Sequence, residues 1–260
     1  AALFNGCAPR HASIAHATPV VYSAAHKTVF VDNVKAASTT IRDKFERVLG
    51  ETWHRDPVSG RRVAARTKTT DLTPAMLSEA FVFSIVRDPV AKFESGVRQA
   101  HQTARLPSNA RRATFRRGNA SAPVRSADEW LDSQLATSDP HAWLNEHLAP
   151  STWRLAARGP ATIMRYDFVA AVETLETDMI VLAANFKNLS RAEIRAWIAP
   201  LVANHRPWAY ANDTTLSAHA VRRMCRSAQY GDEWRCLGYD LPEVCRDDDN
   251  RGTTTAAVGR

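Results

Sequence analysis

The chain has 260 residues, of which 45% are hydrophobic and 23% are charged, and its formal net charge is +7. This length and composition predict one large globular domain with a full hydrophobic core. No apolar run approaches the roughly 18 residues that cross a membrane, and the first residues do not show the pattern of a signal peptide. The net charge favours anionic ligands and, taken alone, suits nucleic acid as well as other polyanions.

Residues 1–27 contain three histidines, which are not spaced as a pair of ligands on a helix. We expect this segment to be an irregular lead-in. The domain itself is expected to span residues 28–250, followed by a flexible tail at residues 251–260.

The first strand-loop-helix unit follows the lead-in. Residues 28–34 (TVFVDNV) are mostly β-branched or aromatic and predict a buried strand, and residues 41–49 place their apolar side chains on one helical face. A loop of small and hydroxyl-bearing residues between them presents backbone N–H groups and the positive end of the helix dipole, which favour phosphate. The loop consists of Lys35, Ala36, Ala37, Ser38, Thr39 and Thr40. The alternative is an ordinary helix N-cap with a surface lysine.

The second unit follows a basic, polar segment at residues 51–72, which we expect to be a long loop. Residues 80–86 (AFVFSIV) predict another buried strand, which ends directly at Arg87. Pro89 then ends the strand and begins a helix that carries Ser95 and Arg98. Because ligands bind at the carboxyl ends of parallel strands, two such units predict a ligand with two separate phosphates.

A basic loop insertion is predicted at residues 99–127. No acidic residue occurs between Glu94 and Asp128, whereas seven arginines do, together with Pro, Ser, Asn and Gly residues that are typical of loops. Arginine binds carboxylates and sulfates through two parallel hydrogen bonds, so this stretch could be a lid over an anionic acceptor. A solvated loop without a specific partner is the alternative.

The remaining elements complete the predicted fold. Residues 161–166 predict a third strand, followed by a helical pattern that extends to Leu182, and two more helices are predicted at residues 189–202 and 216–228. Strands that alternate with helices predict an α/β fold with a central parallel sheet flanked by helices.

At these segments the chain resembles the PAPS-dependent carbohydrate sulfotransferases of the Golgi, particularly the chondroitin, dermatan and heparan 2-O-sulfotransferases. Residues 34–40 (VKAASTT) are similar to the 5′-phosphosulfate loop of that family, with Val34 in place of its proline. Residues 87–95 have the family's Arg-Asp-Pro followed by serine at the same spacing. Three more similar segments follow in the family's order, at residues 143–150, 165–178 and 216–239.

The resemblance implies a P-loop-NTPase-like sulfotransferase fold and the transfer of a sulfuryl group from PAPS to a hydroxyl group, with PAP as the product. It implies that Lys35 and the backbone of its loop bind the 5′-phosphosulfate and that Lys35 stabilises charge on the departing phosphate. It also implies that Arg87 and Ser95 bind the 3′-phosphate. Arg98 lies three residues after Ser95 on the same helix and could also reach this phosphate.

His147 is the expected catalytic base, because it lies in the first of the three downstream segments at a family histidine position. The heparan 2-O-type enzymes instead carry a histidine shortly before the second strand, and residues 66–71 of this chain contain none. His54, His141 and carboxylates therefore stay open as other candidates, and His147 itself could be a structural histidine.

The resemblance also sets the expected partners. The acceptor should be a hydroxyl group, expected on a carbohydrate that could be anionic, and we expect no nucleic acid. We expect no metal, because the chemistry needs none, no Gly-x-x-x-x-Gly-Lys-Ser/Thr sequence is present and no His/Cys pair has zinc-site spacing. Membrane contact is expected only through an anchor outside this sequence.

Cysteine usage and glycosylation sequons bear on the compartment. The four cysteines, three of them near the C-terminus, fit one or two disulfides in an oxidising lumen, with free core thiols as the alternative. The resemblance implies the Golgi lumen, where asparagine sequons can be glycosylated. The cysteines are Cys7, Cys225, Cys236 and Cys245, and the sequons begin at Asn119, Asn188 and Asn212.

Two functions of other classes fit the same residues. One is a basic module that binds polyanions or glycans on this fold without turnover. The other is a P-loop kinase-like phosphotransferase, which would bind ATP rather than PAP.

Overall fold

The structure is a computed structural model, and the following description covers only part of the chain. It describes residues 18–23, 26–37, 41, 53–55, 62–64, 67–104, 126–137, 147–156, 164–185, 192 and 214–246. The predicted helices at residues 41–49, beyond Ile41, and at 189–202, apart from residue 192, lie outside the described residues, as do the asparagines of all three sequons.

A five-stranded sheet, in the order β5–β1–β2–β6–β7, forms the centre of the described fold. Strands β2, β6 and β7 are parallel, whereas β1 pairs antiparallel with both β2 and β5. The predicted central parallel sheet is therefore right for the inner strands, and the sheet as a whole is mixed. The strands are β1 (Pro19–Ser23), β2 (Thr28–Val31), β3 (Trp53–Arg55), β4 (Arg62–Ala64), β5 (Thr67–Lys68), β6 (Phe81–Val86) and β7 (Phe168–Ala171), of which β3 and β4 form a separate hairpin.

Both faces of the sheet are buried, as expected for a parallel sheet covered by helices. Phe30 and Phe83 contribute to one face, with ring centroids 5.2 Å apart, and pack with Met179. Alternate residues such as Val29 and Val82 contribute to the opposite face. The continuous β-branched and aromatic runs of β2 and β6 are explained by this burial on both sides.

Helices surround the sheet, and a third apolar cluster lies among them rather than on the sheet. None of the helices in the described part of the chain is long and apolar enough to cross a membrane. The helices are α1 (Pro74–Glu79), α2 (Pro89–Ala104), α3 (Ala127–Leu135), α4 (Ser151–Leu155), α5 (Leu175–Ala184), α6 (Ala218–Arg226), α7 (Glu233–Leu237) and α8 (Glu243–Arg246), with a 3-10 turn at Thr69–Asp71.

The expectation of an irregular lead-in through residue 27 is wrong at β1. This short strand is held by pairing to β2 on one side and to β5 on the other. β1 itself has only five residues, so local periodicity carries little signal for it. The expected loop at residues 51–72 is likewise wrong in part, because it contains β3, β4, β5 and the 3-10 turn.

The predicted third strand is also misplaced where it can be compared: residues 164–166 are not in a strand, which is instead β7 at Phe168–Ala171, and residues 161–163 lie outside the described residues. Asp167 fixes the start of pairing: its N–H donates to the Val82 carbonyl at 2.8 Å, and its Oδ2 accepts the Val82 N–H at 2.7 Å. The apolar residues of β7 also fit a helical spacing, but parallel pairing with β6 overrides that local pattern.

The predicted basic loop at residues 99–127 begins too early. Helix α2 continues to Ala104, and α3 begins at Ala127 behind an N-cap at Ser126, whose hydroxyl accepts the Glu129 N–H. The residues between 104 and 126 lie outside the described residues.

A disulfide joins Cys225 at the end of α6 to Cys245 in α8, and Cys236 is also disulfide-bonded. The disulfide alternative is therefore the right one for these cysteines. The partner of Cys236 lies outside the described residues.

Removal of the Cys225–Cys245 bond should destabilise the domain. The bond closes a loop with a sequence separation of 20, for which restriction of the unfolded chain accounts for about 3 kcal/mol of stability. We expect the Cys225→Ser/Cys245→Ser variant to unfold about 6–12 °C below the wild type in calorimetry. An unchanged transition temperature would contradict this expectation.

Candidate active site

The loop after β2 has a strained backbone. Lys35 has φ 67° and Ala37 has φ 56°, in the left-handed region that non-glycine residues seldom adopt, whereas Ala36 between them has no positive φ. Backbone that alternates between the two hands forms concave surfaces that bind anions. The local conformation at Lys35, Ala36 and Ala37 therefore suits a phosphate-binding loop; Ser38, Thr39 and Thr40 lie outside the described residues.

Asn33 anchors the start of this loop. Its buried side chain donates through Nδ2 to the Ile85 carbonyl of β6 at 2.9 Å and to the Ser151 hydroxyl of α4 at 3.0 Å. A single amide thus joins the end of β2, the end of β6 and the start of α4.

Arg87 follows the last residue of β6, at the same edge of the sheet. The next residue, Asp88, caps α2 because its Oδ1 accepts the Ala91 N–H at 2.9 Å. The Asp88 N–H donates to Glu173 Oε1 at 3.0 Å, and the Tyr239 hydroxyl donates to Glu173 Oε2 at 2.7 Å. The turn that carries Arg87 is therefore fixed from both sides.

Helix α2 connects the two loops. Lys35 Nζ donates to Gln99 Oε1 of α2 at 3.1 Å. Ser95 lies one turn before Gln99 and thus on the same face of the helix, and Arg98 lies three residues after Ser95. The structure therefore brings the predicted lysine of one loop beside the helix that carries the predicted serine and arginine.

Positive charge is concentrated here. Burial, together with the nearby charges of Arg87 and Arg98, lowers the pKa of Lys35 to about 8. Burial, then the charge of Arg87, also lowers the pKa of Arg98. Within the described part of the chain, no hydrogen bond or ion pair joins either guanidinium to another residue. A bound anion with two negatively charged ends would offset this repulsion.

The segment that contains His147 packs directly on α2. A Cβ atom at Gly96 would lie 2.5 Å from the His147 carbonyl oxygen, so only glycine permits this close approach. Gly96 is the neighbour of Ser95, so the structure places the backbone of His147 beside the predicted 3′-phosphate site. Its imidazole is half-buried.

Sequence reasoning missed Asn33 and Gln99. Gln99 could have been found, since it lies four residues after Ser95 and therefore on the same helical face. Asn33 was included in the first predicted strand, and its contacts to β6 and α4 come from segments far away in sequence.

The family model described as the sulfotransferase family matches residues 19–230. The chain belongs to the sulfotransferase family. The matched range includes the Lys35 loop, the Arg87 turn, α2 and His147. No curated protein and no solved structure matched the chain.

Family membership fixes the general chemistry. Sulfotransferases are transferases that move a sulfuryl group, and members of this family normally use PAPS. In the part of the chain that the structure describes, no group of three His, Cys, Asp or Glu side chains could hold a metal ion.

Because the charge of Lys35 is buried among other cations, it should oppose folding at neutral pH. A lysine whose pKa falls from 10.5 to about 8 on folding binds fewer protons in the native state than in the unfolded state between those values. Stability therefore rises with pH across that window. Because Lys35 is partly exposed, solvent screens part of this effect. We expect Lys35→Met to raise the free energy of unfolding at pH 7 by about 1–2 kcal/mol.

Calorimetry from pH 7 to pH 10 measures the stability difference between Lys35→Met and the wild type. This difference should shrink as the pH rises above about 8. Lys27 provides a matched control, because it also has a positive φ but pairs with Glu79 in solvent. The hydrogen bond and charge of Glu79 raise the pKa of Lys27, so Lys27→Met should not stabilise the protein. Equal effects of the two substitutions would contradict this interpretation.

Proposed function

We propose that the chain transfers the sulfuryl group of PAPS to a hydroxyl group of a carbohydrate. The observation that carries the proposal is that Lys35 and Arg87, at the ends of two adjacent parallel strands, lie close to Arg98 of α2. PAPS has a phosphosulfate at its 5′ end and a phosphate at its 3′ position, so it has one anionic group for each loop.

In this assignment the loop after β2 binds the 5′-phosphosulfate, in the manner of a P-loop. Arg87, Ser95 and Arg98 bind the 3′-phosphate, for which a guanidinium supplies paired donors and a hydroxyl supplies one more. The support is the left-handed backbone of the Lys35 loop and the short distance from Lys35 to the helix that carries Ser95.

The proposed reaction is an in-line displacement at sulfur. The acceptor oxygen forms a bond to sulfur while the bond from sulfur to the bridging phosphate oxygen breaks, and the electron pair leaves with PAP. Lys35 stabilises the negative charge that grows on the bridging oxygen, which is worth more in a water-poor site than in solvent. The acceptor proton passes to a base.

His147 is the proposed base. Its backbone lies against α2 at Gly96, the residue after Ser95, and imidazole accepts a proton near neutral pH. The other candidate histidines, His54 and His141, have no side chain among the described residues.

A carbohydrate acceptor and the Golgi lumen are proposed from the resemblance. The disulfide between Cys225 and Cys245 supports an oxidising compartment. Sulfation of another hydroxyl, such as that of a lipid alcohol, would change the acceptor but not the donor site.

PAP should bind without a metal, and Arg87 should account for much of its affinity. We expect Arg87→Ala to weaken PAP binding about 10- to 100-fold in isothermal titration, because a charge-assisted hydrogen bond contributes roughly 1.5–3 kcal/mol. Arg235→Ala is the matched control, since Arg235 is a surface arginine with 68% of its side chain exposed.

Three results of this titration would contradict the donor assignment. They are an unchanged affinity in Arg87→Ala, loss of PAP binding with EDTA, and binding of ATP without binding of PAP. The last result would favour a kinase-like phosphotransferase. Binding of PAP and of a heparin oligosaccharide without any sulfuryl transfer would favour a polyanion-binding module.

Lys35 should matter more for turnover than for binding. Lys35→Met should lower kcat by two or more orders of magnitude but weaken PAP only several-fold, because the bridging oxygen becomes fully charged only as the bond breaks. Transfer from labelled PAPS to whichever acceptor is active measures kcat, and titration measures PAP affinity. Near-normal turnover in folded Lys35→Met would contradict this role and would indicate that the loop is an ordinary helix N-cap.

The pH dependence gives a second test of Lys35. Because its pKa in the free protein is about 8 and the protonated form is the active one, kcat/KM for PAPS should fall about tenfold per pH unit above pH 8. The phosphates of bound PAPS favour the charged lysine, so the decrease in kcat should begin at a higher pH than the decrease in kcat/KM. If kcat and kcat/KM decreased over the same pH range, the proposed role of Lys35 would be contradicted.

A further inference from the structure

Two opposite charges are buried behind the proposed site. Lys92 in α2 is 2% exposed and Glu233 in α7 is 1% exposed. Burial lowers the pKa of Lys92 and raises the pKa of Glu233, and the attraction between the two opposite charges opposes both shifts.

Both side chains bind the same short segment, between His147 and Leu155. Lys92 Nζ donates to the Ala149 carbonyl. Glu233 Oε1 accepts the Thr152 N–H at 2.6 Å. The two charged side chains therefore bind this segment just before and just after the first residue of α4.

Other side chains fix the same segment. The Tyr230 hydroxyl donates to the Leu148 carbonyl at 2.9 Å, and the Asn33 amide donates to the Ser151 hydroxyl at 3.0 Å. Gly96 admits the His147 carbonyl against α2. Most residues between His147 and Thr152 are thus held individually, which determines where His147 lies relative to α2.

Stability alone does not explain the buried charges. Their removal from water is costly, and replacing a buried charge pair with apolar residues of similar volume is often neutral or stabilising. Apolar residues would fill the same space between α2 and α7, but they could not bind the Ala149 carbonyl or the Thr152 N–H. The hydrogen bonds to the segment are what the charges contribute.

We propose that Lys92 and Glu233 are positioning residues that hold the segment from His147 to Thr152 against α2, so that His147 is placed for the acceptor proton. This role rests on the proposed function. Neither residue contacts the reacting atoms in this assignment, and both act through the segment that they bind.

The test replaces both charges at once, with Lys92→Met/Glu233→Leu. Because neither charge is left unpaired, this variant should fold, with a transition temperature lowered only by the loss of the hydrogen bonds to Ala149 and Thr152, whereas each single variant leaves one buried charge alone. The matched control is Lys27→Met/Glu79→Gln, which removes a pair of opposite charges at the surface. Calorimetry establishes that each variant is folded.

Three readouts are then compared in the full chain. They are PAP affinity by titration, single-turnover consumption of labelled PAPS with water as the acceptor, and the side-chain nitrogen resonances of His147 in protein labelled with ¹⁵N-histidine. His147→Asn identifies the resonances. We expect PAP affinity within about threefold of the wild type, at least tenfold slower PAPS consumption, and shifted or broadened His147 resonances with an altered titration curve.

The outcomes separate the two proposals. Unchanged His147 resonances in the folded double variant would overturn the positioning role, and so would PAPS consumption at the wild-type rate. If the wild type neither binds PAP nor consumes PAPS, the proposed function fails, while the His147 resonances still decide whether the pair positions the segment. The control variant should match the wild type in all three readouts.

Discussion

The site depends on the parallel pairing of β2 with β6, which brings two loops to one edge of the sheet. The register aligns Phe30 with Phe83, and side chains extend this alignment beyond the ladder. Ser84 donates its hydroxyl to the Val31 carbonyl at 2.8 Å, and Asn33 donates to the Ile85 carbonyl. Because these bonds fix where each strand ends, Lys35 and Arg87 lie close to each other at this edge of the sheet.

That arrangement has an energetic cost that the ligand can remove. Lys35 is held in a left-handed conformation and near two guanidinium groups, so both backbone strain and charge repulsion are concentrated at one loop. A strained and repulsive arrangement of this kind persists only when contacts with the surrounding residues hold it in place. Here the surroundings are Asn33, Gln99 and the apolar cluster that buries Ile41. An anion is bound more tightly by cations that are already assembled, since no further ordering is needed.

The local parts of the fold and site could be predicted from the sequence. The apolar runs of β2 and β6 are long enough to identify, and Pro89 marks the junction of strand and helix, so the positions of Lys35, Arg87 and Ser95 followed directly. β7 could not be predicted, because a strand of four residues that also fits a helical spacing is chosen only by its neighbour β6. The charges of Lys92 and Glu233 could not be placed either, since each is explained by contacts from distant segments.

The downstream segments of the chain have a physical role in common. Tyr230 binds the segment that contains His147, and Tyr239 acts through Glu173 on the turn that carries Arg87. Asp178 accepts the Ala171 N–H at the end of β7, the strand beside β6. Tyr230, Glu173 and Asp178 each bind a backbone group, and Tyr239 holds Glu173 in place for this role. The charged loops thus come from the first half of the chain, and side chains of the second half add contacts that hold the segments around them.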